Sequence, residues 1–563
     1  MQPDAIGRKI IGKFFHVRRD ASLNHIIFEA RHRNRKPVRQ ENVKHMPFQN
    51  GERHALWYRR LGFMLKTMKF DLGEEDGTMR ALEDVEPKEV FHFFEDLAAI
   101  PRPSYHEKEV SDYLVRFAKD RGLEVHQDSM HNVIMIKEAS EGYEDQEPLA
   151  FQAHMYMVCE EDPGVEKDME KEGIDLEVDG DYLRAKGTTL GGDDGIGVSF
   201  VLALLDSDTI KHPRLEFVCT VCEEVGMDGA RDIDLAPLKA RRLINLDHET
   251  EGSALAGCAG GGTAEVGLSV HRAPYGWEKL FVRITGLLGG HSGGAITLGR
   301  ASSVELMGRL LRGISSVTDI RLIACENGSK DNAISREGWM SLAVKDKEAA
   351  LKKLEETGQQ VQEEYKGADP GIRIFAEEDA GKIPAGLPKD PVSKEETENI
   401  ISLLTELPQG VQRMSDSLPG MVETSLNWGI ASLGEERFRM SASVRSSVGT
   451  AKDALFGRLQ WTAEHNGASM KIVGAYPAWQ WVEKSALRDK VSHIYKEMFG
   501  KELRTETIHA GVECGLLGSK IQGLDMVALG PDMEGVHTPK ERLSIPSVKR
   551  MWDFLVKVVE TKD

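Results

Sequence analysis

Residues 148–154, PLAFQAH, 195–205, GIGVSFVLALL, 215–221, LEFVCTV, and 241–246, RRLINL, decide how this chain folds. Three are short apolar runs of strand length, and GIGVSFVLALL between them is an apolar run of helical length. With NVIMI at 132–136 ahead of them, strands alternate with helices, which implies an α/β fold around a largely parallel central sheet. Upstream, Val90, Phe93, Phe94, Leu97 and Ile100 share one helical face that Pro101 ends. A second helix is expected next, with Ser104 and Glu107 at capping-box spacing, a stripe of Val110, Tyr113, Leu114 and Phe117, and Gly122 as its stop.

From about residue 264 the rhythm changes. KLFVRIT, ASSVELMGRLLRG, IRLIAC, GWMSLAV, KEAALKKLEETGQQVQEEY and GIRIF follow one another as strand, helix, strand, strand, helix and strand. That is the order of a split βαβ, ferredoxin-like α+β unit. The helix SALRDKVSHIYKEMF and the strand LDMVALG then return to the first sheet. The expected domains are 83–263 and 480–563 as two parts of one body, with 264–479 inserted between them.

In open α/β sheets ligands gather beyond the carboxyl ends of the strands, and metal-type side chains recur there. PLAFQA runs into His154, LEFVCTV into Cys222, Glu223 and Glu224, and RRLINL into Asp247, while LDMVALG leads through a loop to His537. Asp193 and Asp194 open the apolar helix. Taken singly, a His after a strand is an ordinary polar residue, an Asp pair before a helix is an N-cap, and a Glu pair is a solvated edge. Recurrence at one structural position points instead to a metal site. Mixed oxygen and nitrogen donors suit two zinc or manganese ions that share one carboxylate. A water between two cations falls from a pKa near 16 toward roughly 7, and a nearby carboxylate can take its proton. Because successive side chains diverge at a strand end, one of Glu223 and Glu224 is expected to bind metal while the other stays free as base. The pair CTVC at 219–222, inside an apolar run, reads as core packing.

Composition narrows the setting. The chain has 563 residues, 40% hydrophobic, enough for two or three folding units. No apolar run approaches the roughly eighteen residues that span a bilayer, and the amino terminus lacks a secretory pattern. Six cysteines, at 159, 219, 222, 258, 325 and 514, are too sparse for a disulfide scaffold, so a reducing cytoplasm is expected. Net charge is −19, yet residues 1–70 carry 16 Lys and Arg against 5 Asp and Glu. The body is therefore strongly acidic and unsuited to nucleic acid. Residues 1–82 read as a basic extension, solvated and disordered.

Twelve motifs in order, spanning about 84 to 563, resemble the M20 metallopeptidases, and within them the aminoacyl-histidine (Xaa-His or β-alanyl-histidine) dipeptidases. They are IPRPSYHEKEV, AHMYMV, KGTTLGGDDGIG, EEVGMDGA, INLDHETEG, GCAGG, GGHSGG, KDNAISRE, VETSLNWG, VRSS, HAGVECGL and GPDMEGVHTP. The resemblance implies a zinc-peptidase-like catalytic domain with an inserted lid, a homodimer, and metal-dependent hydrolysis of dipeptides, Xaa-His among them. It implies His154, Asp193, Glu224, Asp247 and His537 as ligands of two divalent ions, zinc with manganese or cobalt as alternatives, with Asp193 bridging and Glu223 as general base. His291 of GGHSGG then stabilises the oxyanion. Asn332 and Arg445 hold the substrate, Arg445 by a fork on its free carboxylate, and the loop at His509 and Gly511 cradles its end. GGHSGG lacks the Lys and Ser/Thr ending of a phosphate loop.

One position departs from the pattern. The family has His-x-Asp where this chain has His154, Met155 and Tyr156, and that aspartate orients the ligand histidine. A weakened or silent metal-binding homologue is therefore one alternative reading. An M20 amidohydrolase acting on N-acyl amino acids or longer peptides is another.

Overall fold

A computed structural model describes residues 80–563 of the chain. The extension expected over 1–82 lies outside the described residues, apart from its last three positions.

The first sheet has eight strands, in spatial order Glu124–Gln127, Val133–Lys137, Leu215–Thr220, Leu149–His154, Arg242–Asn245, Asp525–Ala528, Ser253–Cys258 and Arg504–Ile508. The four central strands, from Leu215–Thr220 to Asp525–Ala528, are mutually parallel. Antiparallel neighbours flank them on either side, so the sheet is mixed and parallel at its centre. All six residues of Leu149–His154 and all six of Leu215–Thr220 are buried, as a strand covered on both faces requires. Gly192–Asp206 is apolar on every side and buried from Gly192 to Leu205, so it is a core helix rather than a surface one.

A second, nine-stranded sheet draws all its strands from residues 260 to 476. Its first half runs Arg373–Ala376, Glu278–Thr285, Gly338–Val344 and Ile320–Asn327, the split βαβ order, with helices Ser303–Ser315 and Lys347–Glu364 packed on it. The other half, Val422–Leu433, Arg437–Ser446, Gly260–Ser269 and Ser469–Tyr476, with Gly410–Met414 paired to the first of these, has no counterpart among the strands read from the sequence. Its strands mix polar and apolar residues, as in RFRMSASVRS, where alternate residues are buried along the first six positions.

The expected capping box does not form. The second helix is Lys108–Asp120, and Glu107 caps nothing with its side chain. Its carboxylate instead accepts the Tyr105 backbone N–H at 2.9 Å and the Cys222 thiol at 3.3 Å, tying this turn to the residue before Glu223.

Candidate metal centre

The parallel centre of the first sheet aims four strand ends at one rim. His154 is the last residue of its strand and fully buried; Glu223 and Glu224 follow Leu215–Thr220, and Asp247 follows Arg242–Asn245. His537 arrives on a loop held by the pairing of Met533–Glu534 with Arg542–Ser544. Cys222 and His537 have left-handed backbones, φ 55° and 63°, an uncommon conformation for non-glycine residues that recurs at functional sites. The turn at Cys222 also revises the strand-end argument for the glutamate pair. Both side chains face the rim, and their oxygens lie with a His154 nitrogen in one set within 4.8 Å.

Asp193 stands at the middle. Its Oδ1 lies 2.9 Å from His154 Nε2 and its Oδ2 lies 3.0 Å from His537 Nε2. His154, Asp193 and Asp247 offer three donor atoms within 4.8 Å of one another, and so do Asp193, Glu224 and His537. The two sets share Asp193. Its neighbour Asp194 takes the capping role that an acidic pair before a helix suggests, accepting the Gly197 N–H at 3.2 Å and the His154 N–H at 3.3 Å. Cys222 belongs to neither set, since its thiol is turned to Glu107.

The electrostatics follow from crowding acids in a buried rim. Burial, with Asp193, Asp194 and Glu223 nearby, holds the Asp247 carboxyl well above the usual range. Burial, then Glu513, Glu224 and Asp193 against the opposing pull of His154, pushes Glu223 up to about 8. Burial also works against Asp193, yet His154 and His537 hold it far below the usual carboxylate range. Hydrogen bonds to Asp193 and Glu224 raise His537 to about 10. So many enclosed carboxylates are costly without cations among them, and oxygen and imidazole donors are the ligands that zinc, manganese or cobalt accept. The residues fit a pair of divalent ions.

Several supporting residues escaped the sequence reading. Glu541 accepts the backbone N–H groups of Leu190, Gly191, Gly192 and Asp193 at 2.8 to 3.3 Å, and so fixes the loop that presents Asp193. The fully buried Arg102 guanidinium donates to the carbonyls of Met155 and Gly191, bracing the His154 and Asp193 segments against each other. Glu513, also buried, accepts from Gln152 and Thr220 at 2.6 Å each. An acid inside the apolar run AGVECGLL was its available signal; Glu541, in the charged stretch PKERL, gave none.

Tyr156 does not replace the expected aspartate with its phenol. His154 Nδ1 pairs with the main-chain carbonyl of Tyr156 at 3.1 Å, an acceptor that can orient a ligand histidine. The tyrosine ring packs 5.1 Å from the imidazole, and its buried hydroxyl has no partner among the described residues.

His291, Arg445, His509 and Gly511 form a second cluster, and Asn332 adjoins it. The short strand Gly290–His291 pairs with Ala333–Ile334, which sets Asn332 beside His291. His509 makes a 2.7 Å bond to Ser425 of the second sheet, and a Cβ on Gly293 would meet the His509 carbonyl at 2.6 Å. Arg445 donates to Tyr476 Oη at 3.4 Å, the ring against which Gly511 packs. Burial and then Arg445 lower both imidazoles, His509 to about 4. The charge acting on His291 is thus Arg445, not the carboxylates of the rim.

Two ligand sets joined by one carboxylate, on the carboxyl rim of an α/β sheet, define a candidate dinuclear metallohydrolase. Residues 150–561 match the model of Peptidase family M20/M25/M40. The Cytosol non-specific dipeptidase of Escherichia coli (strain K12) is 35% identical over 486 residues, 86% of this chain and 99% of that protein. The crystal structure of Aminoacylhistidine Dipeptidase from Vibrio alginolyticus matches with a TM-score of 0.79 and 33% identity, covering 86% of this chain and 98% of that one. The chain belongs to peptidase family M20/M25/M40 and is a metallopeptidase. Its α/β fold with an added α+β unit is that of the family.

Proposed function

We propose that this metallopeptidase is a dipeptidase that binds two divalent cations, zinc foremost with manganese or cobalt as alternatives. Asp193 carries the reading, because its two oxygens face different histidines at 2.9 and 3.0 Å. His154 and Asp247 complete one ligand set; Glu224 and His537 complete the other. The bound cations supply an acidified water and polarisation of the scissile carbonyl. Glu223 shares no donor set with Asp193, although it lies with Glu224 beside His154, and it is the general base, taking the proton from the attacking water and passing it to the leaving amine. Burial and the neighbouring carboxylates raise its affinity for a proton, and cations beside it would favour the carboxylate form that a base needs.

Arg445 grips the free carboxylate of the substrate. Its guanidinium is buried, its Nε has no partner, and it makes one long bond to Tyr476, so most of its donors remain for a forked contact. His291 donates to the oxyanion and Asn332 to the substrate backbone, while the loop at His509 and Gly511 encloses the substrate end. Because His291 faces Arg445, this role requires lid and rim to close together on a substrate that bridges them. A clamp for a free carboxylate favours dipeptides, and both relatives bear dipeptidase names, one non-specific and one aminoacylhistidine. Broad dipeptide hydrolysis that includes Xaa-His substrates is the reading.

The catalytic body is assigned to 83–259 and 480–563 and the lid to 260–479, four residues earlier than the sequence rhythm suggests, because the strand Gly260–Ser269 lies wholly in the second sheet. A homodimer is supported by the open edge Ser469–Tyr476 of the second sheet, where Ile472 and Val473 are exposed, with Trp461 of Gly449–His465 73% exposed. No helix among the described residues is long and apolar enough to cross a membrane, and the Escherichia coli relative is named as cytosolic; the cytoplasm is the assigned location.

The test joins metal content to a substrate panel. Two cations per chain are expected, with dipeptide hydrolysis lost on chelation and restored by zinc or manganese. Faster cleavage of tripeptides or N-acyl amino acids would overturn the dipeptidase assignment, and bound metal without hydrolysis of any substrate would overturn the enzyme.

A further inference from the structure

Beneath the rim lies a buried polar chain that the hydrolytic mechanism leaves unused. Asp247 donates its backbone N–H to Asn245 Oδ1 at 3.2 Å. Asn245 Nδ2 donates to Gln152 Oε1 at 2.6 Å, and Gln152 Nε2 donates to Glu513 Oε2 at 2.6 Å. Thr220 Oγ1 donates to the same Glu513 oxygen at 2.6 Å. Asn245, Gln152, Thr220 and Glu513 are all 0% exposed, so each bond lies out of water, where an unmade one costs most.

Two atoms of this region are left over. Glu513 Oε1 is a buried acceptor without a donor, and Tyr156 Oη is a buried donor without an acceptor. Native interiors seldom strand such groups. Thr220, which donates to Glu513, pairs with His154 in the adjacent strand, and the Tyr156 ring packs 5.1 Å from that imidazole, so both atoms belong to one buried region. They are complementary, and a single enclosed water with polar partners on both sides would satisfy them together.

We infer that Glu513 is a positioning residue for one of the two cation sites, holding Asp247 through Gln152 and Asn245, and His154 through a water-bridged contact to Tyr156. The link to His154 is mechanical: the Tyr156 carbonyl accepts from His154 Nδ1, so anchoring the Tyr156 side chain fixes the carbonyl that aims the imidazole. The work that resemblance gives to an aspartate at 156 is thereby divided. A main-chain carbonyl orients His154, and the carboxylate beneath the site is supplied by Glu513, far along the chain. In the ligand assignment proposed above His154 and Asp247 serve one ion and Glu224 and His537 the other, so the effect falls on the first of them.

The inference rests on the metal reading of those residues, and its test separates the two. Zinc is titrated into the metal-free full chain and into Tyr156→Phe, Glu513→Gln and the double variant, all near-isosteric changes. One of the two zinc equivalents should weaken about tenfold to a hundredfold in each single variant, the range typical of lost support behind a ligand, while the other keeps its affinity. The double variant should lose no more than the worse single one, because the two side chains act through one contact. Dipeptide kcat should fall with the weakened site while KM changes less than about twofold. Unchanged zinc binding, equal weakening of both equivalents, losses that multiply in the double variant, or no zinc binding at all would each overturn the positioning role. If the selective, non-multiplying loss is seen in a protein that hydrolyses no peptide, the positioning role stands and the peptidase reading falls.

Discussion

The rim of the first sheet and the cluster around Arg445 are built on opposite principles. The rim gathers Asp193, Glu223, Glu224 and Asp247 around two histidines, an excess of negative charge that suits cations. The second cluster gathers Arg445 with two imidazoles whose affinity for protons burial and its charge lower, a site with one fixed positive charge that suits an anion. In the rim Asp193, Glu224 and both histidines are already bonded to one another. Around Arg445 the donors are largely unspent. A peptide with a free carboxylate offers each region what it lacks, a carbonyl to be polarised at one and an anion to be held at the other. Chemistry and grip are thus separable, and single substitutions should move one without the other.

The sharpest separation is expected at Glu223. Glu223→Gln keeps the shape and the Asp193-sharing ligand sets but removes the proposed proton acceptor. We expect kcat to fall by about 10²- to 10⁴-fold, the usual contribution of general acid–base catalysis, with cation content unchanged and KM nearly so. Steady-state kinetics beside metal analysis reads this directly. Loss of a cation in this variant would show that Glu223 is a ligand, and the rim would need a different base.

Arg445→Met makes the converse break. It keeps much of the side-chain volume and removes the charge, and hydrogen bonds to charged groups contribute about 1.5–3 kcal/mol, so kcat/KM should drop roughly ten- to hundredfold. The loss should vanish for a substrate whose carboxylate is already amidated. An equal loss on the amide would mean that Arg445 supports the lid rather than the substrate.

The same contrast explains what could be read from the sequence. His154, Asp247 and the Glu223–Glu224 pair each follow an apolar run, so the alternation of the sheet gave away their shared rim. Asp193 and Asp194 read together as ligand or helix cap, and in the structure Asp194 takes the cap while Asp193 faces both histidines. The second cluster offers no such pattern. His291 lies among glycines, and Arg445 lies on a strand of mixed polarity. Asn332 is exposed on a turn, so only resemblance singled the three out. The supports are harder still. Arg102, Glu513 and Glu541 act through backbone groups and buried amides far away in sequence, and local periodicity carries no trace of such long-range pairing. The missing half of the second sheet has the same cause: its strands Val422–Leu433 and Arg437–Ser446 bury residues by packing, not by apolar composition.

The smallest effect tests the electrostatics of the second cluster without any substrate. Burial and then Arg445 lower His509 to about 4, whereas an unfolded histidine titrates near 6.5. Between those values the unfolded chain binds a proton that the folded chain refuses. The contribution is therefore complete above about pH 6.5 and is lost as pH falls toward 4. At pH 5 the loss attributable to His509 is on the order of 2 kcal/mol. His248, likewise lowered to about 4 by burial, adds a similar loss, and rim groups titrate as well, so the informative quantity is a difference. Urea unfolding of the metal-free chain at pH 7 and pH 5 should show the unmodified protein losing more stability than His509→Gln, which has no proton to refuse. Parallel losses would mean that His509 is protonated in the folded state. The region would then carry two positive charges rather than one, and its contrast with the rim would be stronger than the neutral imidazole allows.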